Sequence, residues 1–405
     1  MKAMKQEAFK QTKIGKILKE WEVVELGTCI DVFSGYAFKR EDLLTNKSKG
    51  VPIIKIGNLQ NGKVIIDDKT SFVPRDFYEK LFDFQLHYGD VLIALSGATT
   101  GKIAVVDKDI GLALVNQRVG KFKILNSNIS QKFFYFLAQS DNFKKFVLRN
   151  IGQSAQGNLS PNQVKKSKIT LPPLPEQQKI AEILSTVDSA IEKVNQAIAK
   201  TERLKKGLMQ ELLTKGIGHK EFKDTEIGRI PKEWEVVRLG EVFSLEYGKG
   251  LTEKERENGE YPVYGSNGVV GYHSQYIVKG PGIIVGRKGT IGAITWSDRN
   301  FWPIDTTYYI LLKKHKTVLK WLFYKLSSLK LAKLNMATGT PGLNRDLVYK
   351  LKLPLPPLPE QKKIAEILST VDKRLELLRN KKEKMEGIKK GLMNDLLTGK
   401  KRVVL

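Results

Sequence analysis

The sequence predicts an α+β protein organised as an internal pseudo-twofold repeat, with two mixed α/β inserts joined by two long helices that pair as an antiparallel coiled coil. Three observations carry this. The block LPPLPEQQKIAEILSTVD, Leu171 to Asp188, returns as LPPLPEQKKIAEILSTVD, Leu355 to Asp372, with Gln178 replaced by Lys362. LKKGLMQELLT (Leu204 to Thr214) returns as IKKGLMNDLLT (Ile388 to Thr398) at the same offset of 184 residues, so the segment between the blocks has one length in both halves. IGKILKEWEVVELG (Ile14 to Gly27) returns as IGRIPKEWEVVRLG (Ile227 to Gly240) at an offset of 213, which leaves 29 more residues in the first insert than in the second. Between these blocks the halves diverge, giving one frame and two different inserts. Residues 1–170 are read as the first domain, 171–219 as the first spacer helix, 220–354 as the second domain, and 355–405 as the second spacer helix and tail.

In the first insert, VPIIKIGN (Val51 to Asn58), GDVLIAL (Gly89 to Leu95), KIAVV (Lys102 to Val106) and QRVGKFKI (Gln117 to Ile124) are short β-rich runs split by Gly, Asn and Asp turns. A helix is expected over Gln131 to Leu148. In the second, GYHSQYIV (Gly271 to Val278), PGIIVG (Pro281 to Gly286), GAITW (Gly292 to Trp296) and TTYYILL (Thr306 to Leu312) take the same places, with a helix over Val318 to Leu334. Each insert carries a strand that runs into a small-residue loop, SGATTG at Ser96 to Gly101 and GRKGTIG at Gly286 to Gly292.

The spacer helices follow the prolines of LPPLP, which favour extended backbone, and run from Glu176 in the first copy. Apolar residues step by three and four through Ile180, Leu184, Val187, Ile191, Val194 and Ile198 in the first, and Ile364, Leu368, Val371, Leu375, Leu378 and Met385 in the second. About 38 residues at 1.5 Å each make a rod of roughly 57 Å. EQQKIAEIL has the pattern of the first helix of a helix-turn-helix, but the periodicity continues through Thr201 without a turn.

Lysine and arginine total 69 against 43 acids, a net charge of +26, which suits a polyanion such as nucleic acid. The excess sits mainly in the inserts: 27 basic against 16 acidic side chains over residues 1–175 and 22 against 14 over 220–359, compared with 7 against 6 over 176–219 and 12 against 7 over 360–401. Cys29 is the only cysteine, so intrachain disulfides and cysteine clusters are excluded and a reducing cytoplasm fits. No stretch reaches the ~18 apolar residues of a membrane span, and the first residues lack the apolar core of a signal peptide.

The two LPPLPEQ…KIAEILSTVD blocks, the KEWEVV-LG segments ahead of each insert and the KKGLM--LLT helix ends strongly resemble the specificity subunit of type I DNA restriction and modification systems, over about residue 7 to Thr398. The resemblance implies two target-recognition domains, each reading one half of an asymmetric bipartite site on double-stranded DNA. It also implies a coiled-coil ruler that sets the gap, two copies of a DNA methyltransferase subunit docked near the LPPLPEQ blocks, and restriction subunits that join later. The chain itself would be non-catalytic. S-adenosylmethionine, ATP and Mg²⁺ would belong to partner subunits, and the assembly would be an adenine methyltransferase and ATP-dependent endonuclease. Four residues inserted near Asn195 would then widen the gap without altering either half-site.

Phosphate contacts by Lys and Arg supply affinity, and planar side chains at base edges supply discrimination, Asn and Gln for adenine and Arg for guanine. The candidates in the first insert are Ser96, Thr99, Thr100, Lys102, Asn116, Gln117, Arg118, Lys121, Gln153, Gln156 and Asn158. Those in the second are Tyr264, Ser266, Asn267, Arg287, Lys288, Thr290, Thr338, Thr340, Asn344 and Arg345. Each has a plainer alternative: GRKGTIG and YGSNG are also ordinary hairpin turns, and Asn158 and Asn344 also suit helix caps.

No catalytic motif stands out. GATTGK (Gly97 to Lys102) is too short between glycines for a phosphate loop and has Ile103 where Ser or Thr would bind Mg²⁺. His87, His219, His273 and His315 have no metal-ligand spacing, and LPPLP has leucine at both decisive places of an adenine-methyltransferase motif. The competing readings are a self-contained enzyme with an unrecognised site and a basic coiled-coil scaffold that binds nucleic acid without bipartite specificity.

Overall fold

A computed structural model of the chain describes residues 9–12, 15–44, 50–151, 157–313, 317–334 and 342–403. The chain forms two compact units, residues 1–193 with 382–405, and residues 194–381. The long helices are therefore shared, half of each belonging to either unit.

In the first unit, β1 (Glu22–Glu25) pairs with β5 (Lys168–Leu171), and the sheet that shapes the insert places β2 (Ile30–Ser34), β4 (Val119–Ile124), β3 (Val91–Ala94) and Ile103–Val105 side by side, all antiparallel. β3 is buried at all four residues because both faces are covered. Val91 and Ile93 join a core with Trp21, Phe133 and Ile180, while Leu92 and Ala94 join a second cluster around Val64 and Val115. Burial on both faces explains why its sequence is a continuous apolar run rather than an alternation. α1 (Gln131–Ala138) stops short of the expected Leu148: the chain breaks at Gln139, and Ser140 Oγ accepts from Phe143 N at the start of a new helix, Asp141–Ile151. α2 (Leu174–Leu212) leaves the unit at Lys193.

The second unit repeats this plan. β6 (Glu235–Arg238) pairs with β10 (Lys352–Leu355), and β7 (Phe243–Tyr247), β9 (Thr307–Leu312), β8 (Gly282–Gly286) and Ile294–Ser297 lie in the same antiparallel order as their counterparts. The strand expected at Gly271 to Val278 lies earlier, over Gly268–His273, paired with Tyr261–Gly265. α3 (Leu319–Ser328) ends before Leu334, where Ser327 and Ser328 turn their hydroxyls back onto Phe323 O and Lys325 O and Leu329 is extended. The inserts thus share a sheet order. Gly35 and Gly248 follow β2 and β7 at matching positions; a Cβ there would meet Val115 O at 2.3 Å or Ile304 O at 2.1 Å, so only glycine fits.

α2 and α4 (Leu358–Leu397) have 39 and 40 residues. They begin at Leu174 and Leu358, earlier than expected, because a proline in the first helical turn sacrifices no intrahelical bond. Each repeated PEQ is an internal joint. Gln177 accepts from Ser130 N at 2.8 Å and donates to Asn128 O and Pro172 O, fixing the start of α1 on α2. Gln361 does the same with Val318 N at 2.8 Å and Pro356 O at the start of α3. Both glutamine side chains are fully buried and offer no docking surface, whereas Pro173, Leu174 and Pro175 of the same block are exposed.

The preceding glutamates take the frame tryptophans, Trp21 Nε1 to Glu176 Oε2 at 3.1 Å and Trp234 Nε1 to Glu360 Oε2 at 2.8 Å. Glu360 Oε1 also accepts from Ile217 N and meets His219 Nε2 at 2.9 Å, whereas the buried Glu176 Oε1 has no hydrogen bond among the described residues and lies 3.8 Å from Arg402 Nε. Burial accordingly pushes the Glu176 carboxyl above its ordinary value. A carboxyl that holds its proton more tightly when folded favours the fold at low pH and loses that contribution as pH climbs through its folded pKa. Glu176→Gln is therefore expected to gain thermal midpoint relative to the parent chain between pH 4 and pH 7. A difference that stays flat with pH in paired melting curves would discount the buried charge.

The helices run antiparallel, joined in each unit by the same clasp. Asp188 and Lys389 meet at 2.6 Å in the first unit, with Lys389 Nζ 5.7 Å from the Phe136 ring; Asp372 and Lys205 meet at 2.6 Å in the second, with Lys205 Nζ 5.8 Å from the Tyr324 ring. Of the seam, Ile180, Leu184, Val194, Ile364, Leu368, Val371 and Leu375 are buried, and Val187, Ile191, Ile198, Leu378 and Met385 are half-buried. Among the described residues no helix is long and apolar enough to cross a membrane, and no three His, Cys, Asp or Glu side chains group to hold a metal ion.

Candidate nucleic-acid interface

Each unit builds a polar surface around one backbone hub at the end of its central strand. In the first unit the hub is Leu95: its N–H donates to Arg118 O at 2.9 Å and its carbonyl accepts from Leu159 N at 2.8 Å. These two bonds bring the Ser96–Lys102 loop, the Gln117–Arg118 turn and the Asn158 segment together. Thr100 Oγ1, whose hydroxyl lies near both Gly97 O (2.6 Å) and Gly157 O (3.1 Å), ties the loop further. Gly97 and Gly101 take positive φ, and a Cβ on Gly101 would strike Val147 Cγ1 at 2.3 Å. Thr99, Gln117, Arg118 and Asn158 are exposed, and Ser96, Thr100 and Lys102 half-buried.

Two candidates here are committed to the fold. Asn116 is buried and accepts from Arg118 N at 3.3 Å, holding the turn. Lys121 is paired with Asp90 at 2.8 Å and donates to Gln85 O, leaving its ammonium engaged. Gln153 and Gln156 lie outside the described residues.

In the second unit the hub is Arg287, whose N–H donates to Thr306 O at 2.9 Å and whose carbonyl accepts from Leu343 N at 2.9 Å. Ser266 accepts from Thr290 N at 3.4 Å, so the hairpin tip carrying Asn267 abuts the glycine loop with Lys288 and Thr290. Val269, Val270 and Tyr272 stand exposed beside it. Tyr264, by contrast, is buried against Phe301, and Asn344 spends its side chain capping Asp346 N and Leu347 N. Thr338 and Thr340 lie outside the described residues.

One residue that sequence reasoning missed organises this surface. Tyr247, half exposed at 51%, has the Arg287 guanidinium 4.9 Å and the Arg345 guanidinium 5.2 Å from its ring centre, and packs edge-on against Tyr308 at 5.0 Å. Arg287 also donates to Asp305 O at 2.7 Å. No carboxylate pairs with either arginine among the described residues. Burial pushes the Tyr308 phenol up to about 12, so it stays protonated and close to Leu343 O at 3.2 Å. The signal available in sequence was slight: Tyr247 closes an alternating strand just before the constrained Gly248.

A second pair of features repeats between the units. A groove of about 900 Å³ in the first is lined by Lys144, Arg149, Lys168, Lys390, Met393 and Leu397, and one of about 1190 Å³ in the second by Lys206, Met209, Leu213, Leu329, Lys330 and Leu375. Lys206, Met209 and Leu213 occupy the repeat positions of Lys390, Met393 and Leu397.

The chain matches the family model described as the type I restriction modification DNA specificity domain over residues 18–203 and again over 231–387. It is 31% identical to the type I restriction enzyme MjaVIII specificity subunit of Methanocaldococcus jannaschii, over 100% of this chain and 98% of that protein. Its fold is similar to the crystal structure of a type I restriction-modification system S subunit from M. genitalium, with a TM-score of 0.65, 17% identity, and coverage of 93% of this chain and 96% of that one.

Proposed function

Because this chain belongs to the type I restriction modification DNA specificity family, we propose that it is the non-catalytic subunit that selects the DNA target of such a complex. Each unit's insert reads one half of an asymmetric bipartite site on duplex DNA, and the paired helices set the gap. The observation that carries this reading is the contrast between the clasps and the hubs. Asp188–Lys389 and Asp372–Lys205 are the same pair at repeat positions, whereas the hub side chain is Leu95 in one unit and Arg287 in the other. A symmetric frame suits two copies of one partner, and dissimilar hubs suit two different base sequences.

The two partners are methyltransferase subunits, and the matched grooves that carry Met393 and Met209 are their docking surfaces; restriction subunits join that assembly. S-adenosylmethionine, ATP and Mg²⁺ act in those subunits. The net charge of +26 supports phosphate contacts by the inserts, and binding should fall steeply with salt, with a log–log slope of about −0.9 per neutralised phosphate.

Mapping adenine methylation in the host genome with and without this gene tests the reading. The expected result is loss of one asymmetric two-part motif. Loss of a continuous motif, or of none, would sink it in favour of a scaffold without bipartite specificity.

A further inference from the structure

The repeat allows the two reading surfaces to be compared position by position. Strand pairing aligns Tyr247 with Ser34 and Tyr308 with Gly120, because Ser34 faces Gly120 in the first unit as Tyr247 faces Tyr308 in the second. The hubs align Arg287 with Leu95, and the 184-residue offset aligns Arg345 with Pro161. A cluster of two tyrosines and two arginines in one unit is thus replaced in the other by serine, glycine, leucine and proline, none of which can present a cation.

We infer that Arg345 reads a guanine in the half-site taken by the second unit, with Tyr247 and Arg287 as the residues that position it. This rests on the reading that each unit takes one half-site. Arg345 is exposed at the start of the helix Arg345–Lys350 and forms no hydrogen bond or ion pair among the described residues, so its fork is free to donate. Its guanidinium lies 5.2 Å from the Tyr247 ring centre, and stacking on an aromatic face restrains the plane of the fork while leaving its edge available. Arg287 is tethered by Asp305 O and lies near both tyrosines, so it fixes Tyr247 and adds positive potential without a neutralising carboxylate. Guanine offers two acceptors, O6 and N7, on one major-groove edge, which a restrained arginine fork matches bidentately.

A phosphate would also satisfy a guanidinium, but two facts favour the base. Phosphates flank every half-site, so a backbone contact would be expected at the same position of both units, and the first unit has proline there. Stacking buys orientation, which bidentate base recognition needs and a point contact to a phosphate does not.

The test uses the assembled methyltransferase complex with the full chain, scored for methylation across a library randomised at each position of the site. Arg345→Ala and Arg345→Lys are both expected to relax one G·C position of one half-site by roughly 5- to 150-fold, the range for a bidentate contact, with the other half-site and the gap unchanged. Tyr247→Ala should relax the same position, and Tyr247→Phe, which keeps the ring, should restore it. If Arg345→Lys retains full discrimination, or if Arg345→Ala lowers methylation uniformly across sequences and reduces the salt slope by about one, Arg345 is a phosphate contact and the inference is overturned. An unchanged motif in every variant overturns it equally. A parent complex without a bipartite motif would overturn the underlying reading instead, so the two failures are distinguishable.

Discussion

Inserting one heptad into each long helix, after Asn195 in α2 and after Lys381 in α4, is expected to widen the gap of the methylated motif by about two to three base pairs and to leave both half-sites intact. Seven residues add about 10 Å of helix, and B-DNA rises about 3.4 Å per base pair. The insertion must be matched. The clasp positions Asp188 and Lys205 on α2, and Lys389 and Asp372 on α4, are seventeen residues apart on each helix, and all four are paired. The expectation from sequence that four residues near Asn195 alone would widen the gap is corrected by the paired clasps: such an insertion lengthens one helix only, so it should cost a clasp and lower activity. Methylation mapping of the matched and unmatched variants checks both statements. A matched variant that methylates the parental gap would remove the coiled coil from gap setting.

Replacing Glu360 by Ala should be the most destabilising single change to the frame, by about 3 to 5 kcal/mol, since it strands the Trp234 indole N–H and the Ile217 amide in a buried joint. For a unit of this size that corresponds to a fall of about 10 °C in its melting transition. Glu176→Ala should cost clearly less, because its Oε1 already lacks a hydrogen bond and only the Trp21 bond is lost. Calorimetry of the two variants decides it; equal losses would mean that packing around the tryptophans, not the carboxylate, holds the joint. The difference arises from chain connectivity. After α2 the chain turns through Gly216 at positive φ and supplies Ile217 N to Glu360, while after α4 the corresponding position holds the tail that brings Arg402 towards Glu20 and Glu176.

Among the expectations, the long helices and their seam were legible because a three-and-four spacing of apolar residues persists over about five to six turns in each. The sheet strands were legible as short apolar runs, and a shared order of elements along the two inserts was expected from the matching loops, whereas the order of strands within the sheet came only from the structure. Helix ends within the inserts were not, since Ser140 and Ser327–Ser328 act through local hydroxyl bonds that leave no periodic trace. Within the repeated block expected beside the docking surface, Gln177 and Gln361 are buried joints, because a residue repeated for folding and one repeated for binding read alike in sequence.

The sequence by itself determined that the protein is a duplicated frame around two unlike inserts, that the frame is helical, and that the positive charge lies in the inserts, all of which follow from counting and periodicity. Only the tertiary structure decided which polar residues are free to meet a ligand. Asn116, Lys121, Tyr264 and Asn344 have the right chemistry but are spent on a turn, an ion pair, a core and a cap, while Tyr247, which sequence did not mark, gathers Arg287 and Arg345. Composition fixes what a side chain can do; its partners across the sheet, distant in sequence, fix what remains for it to do.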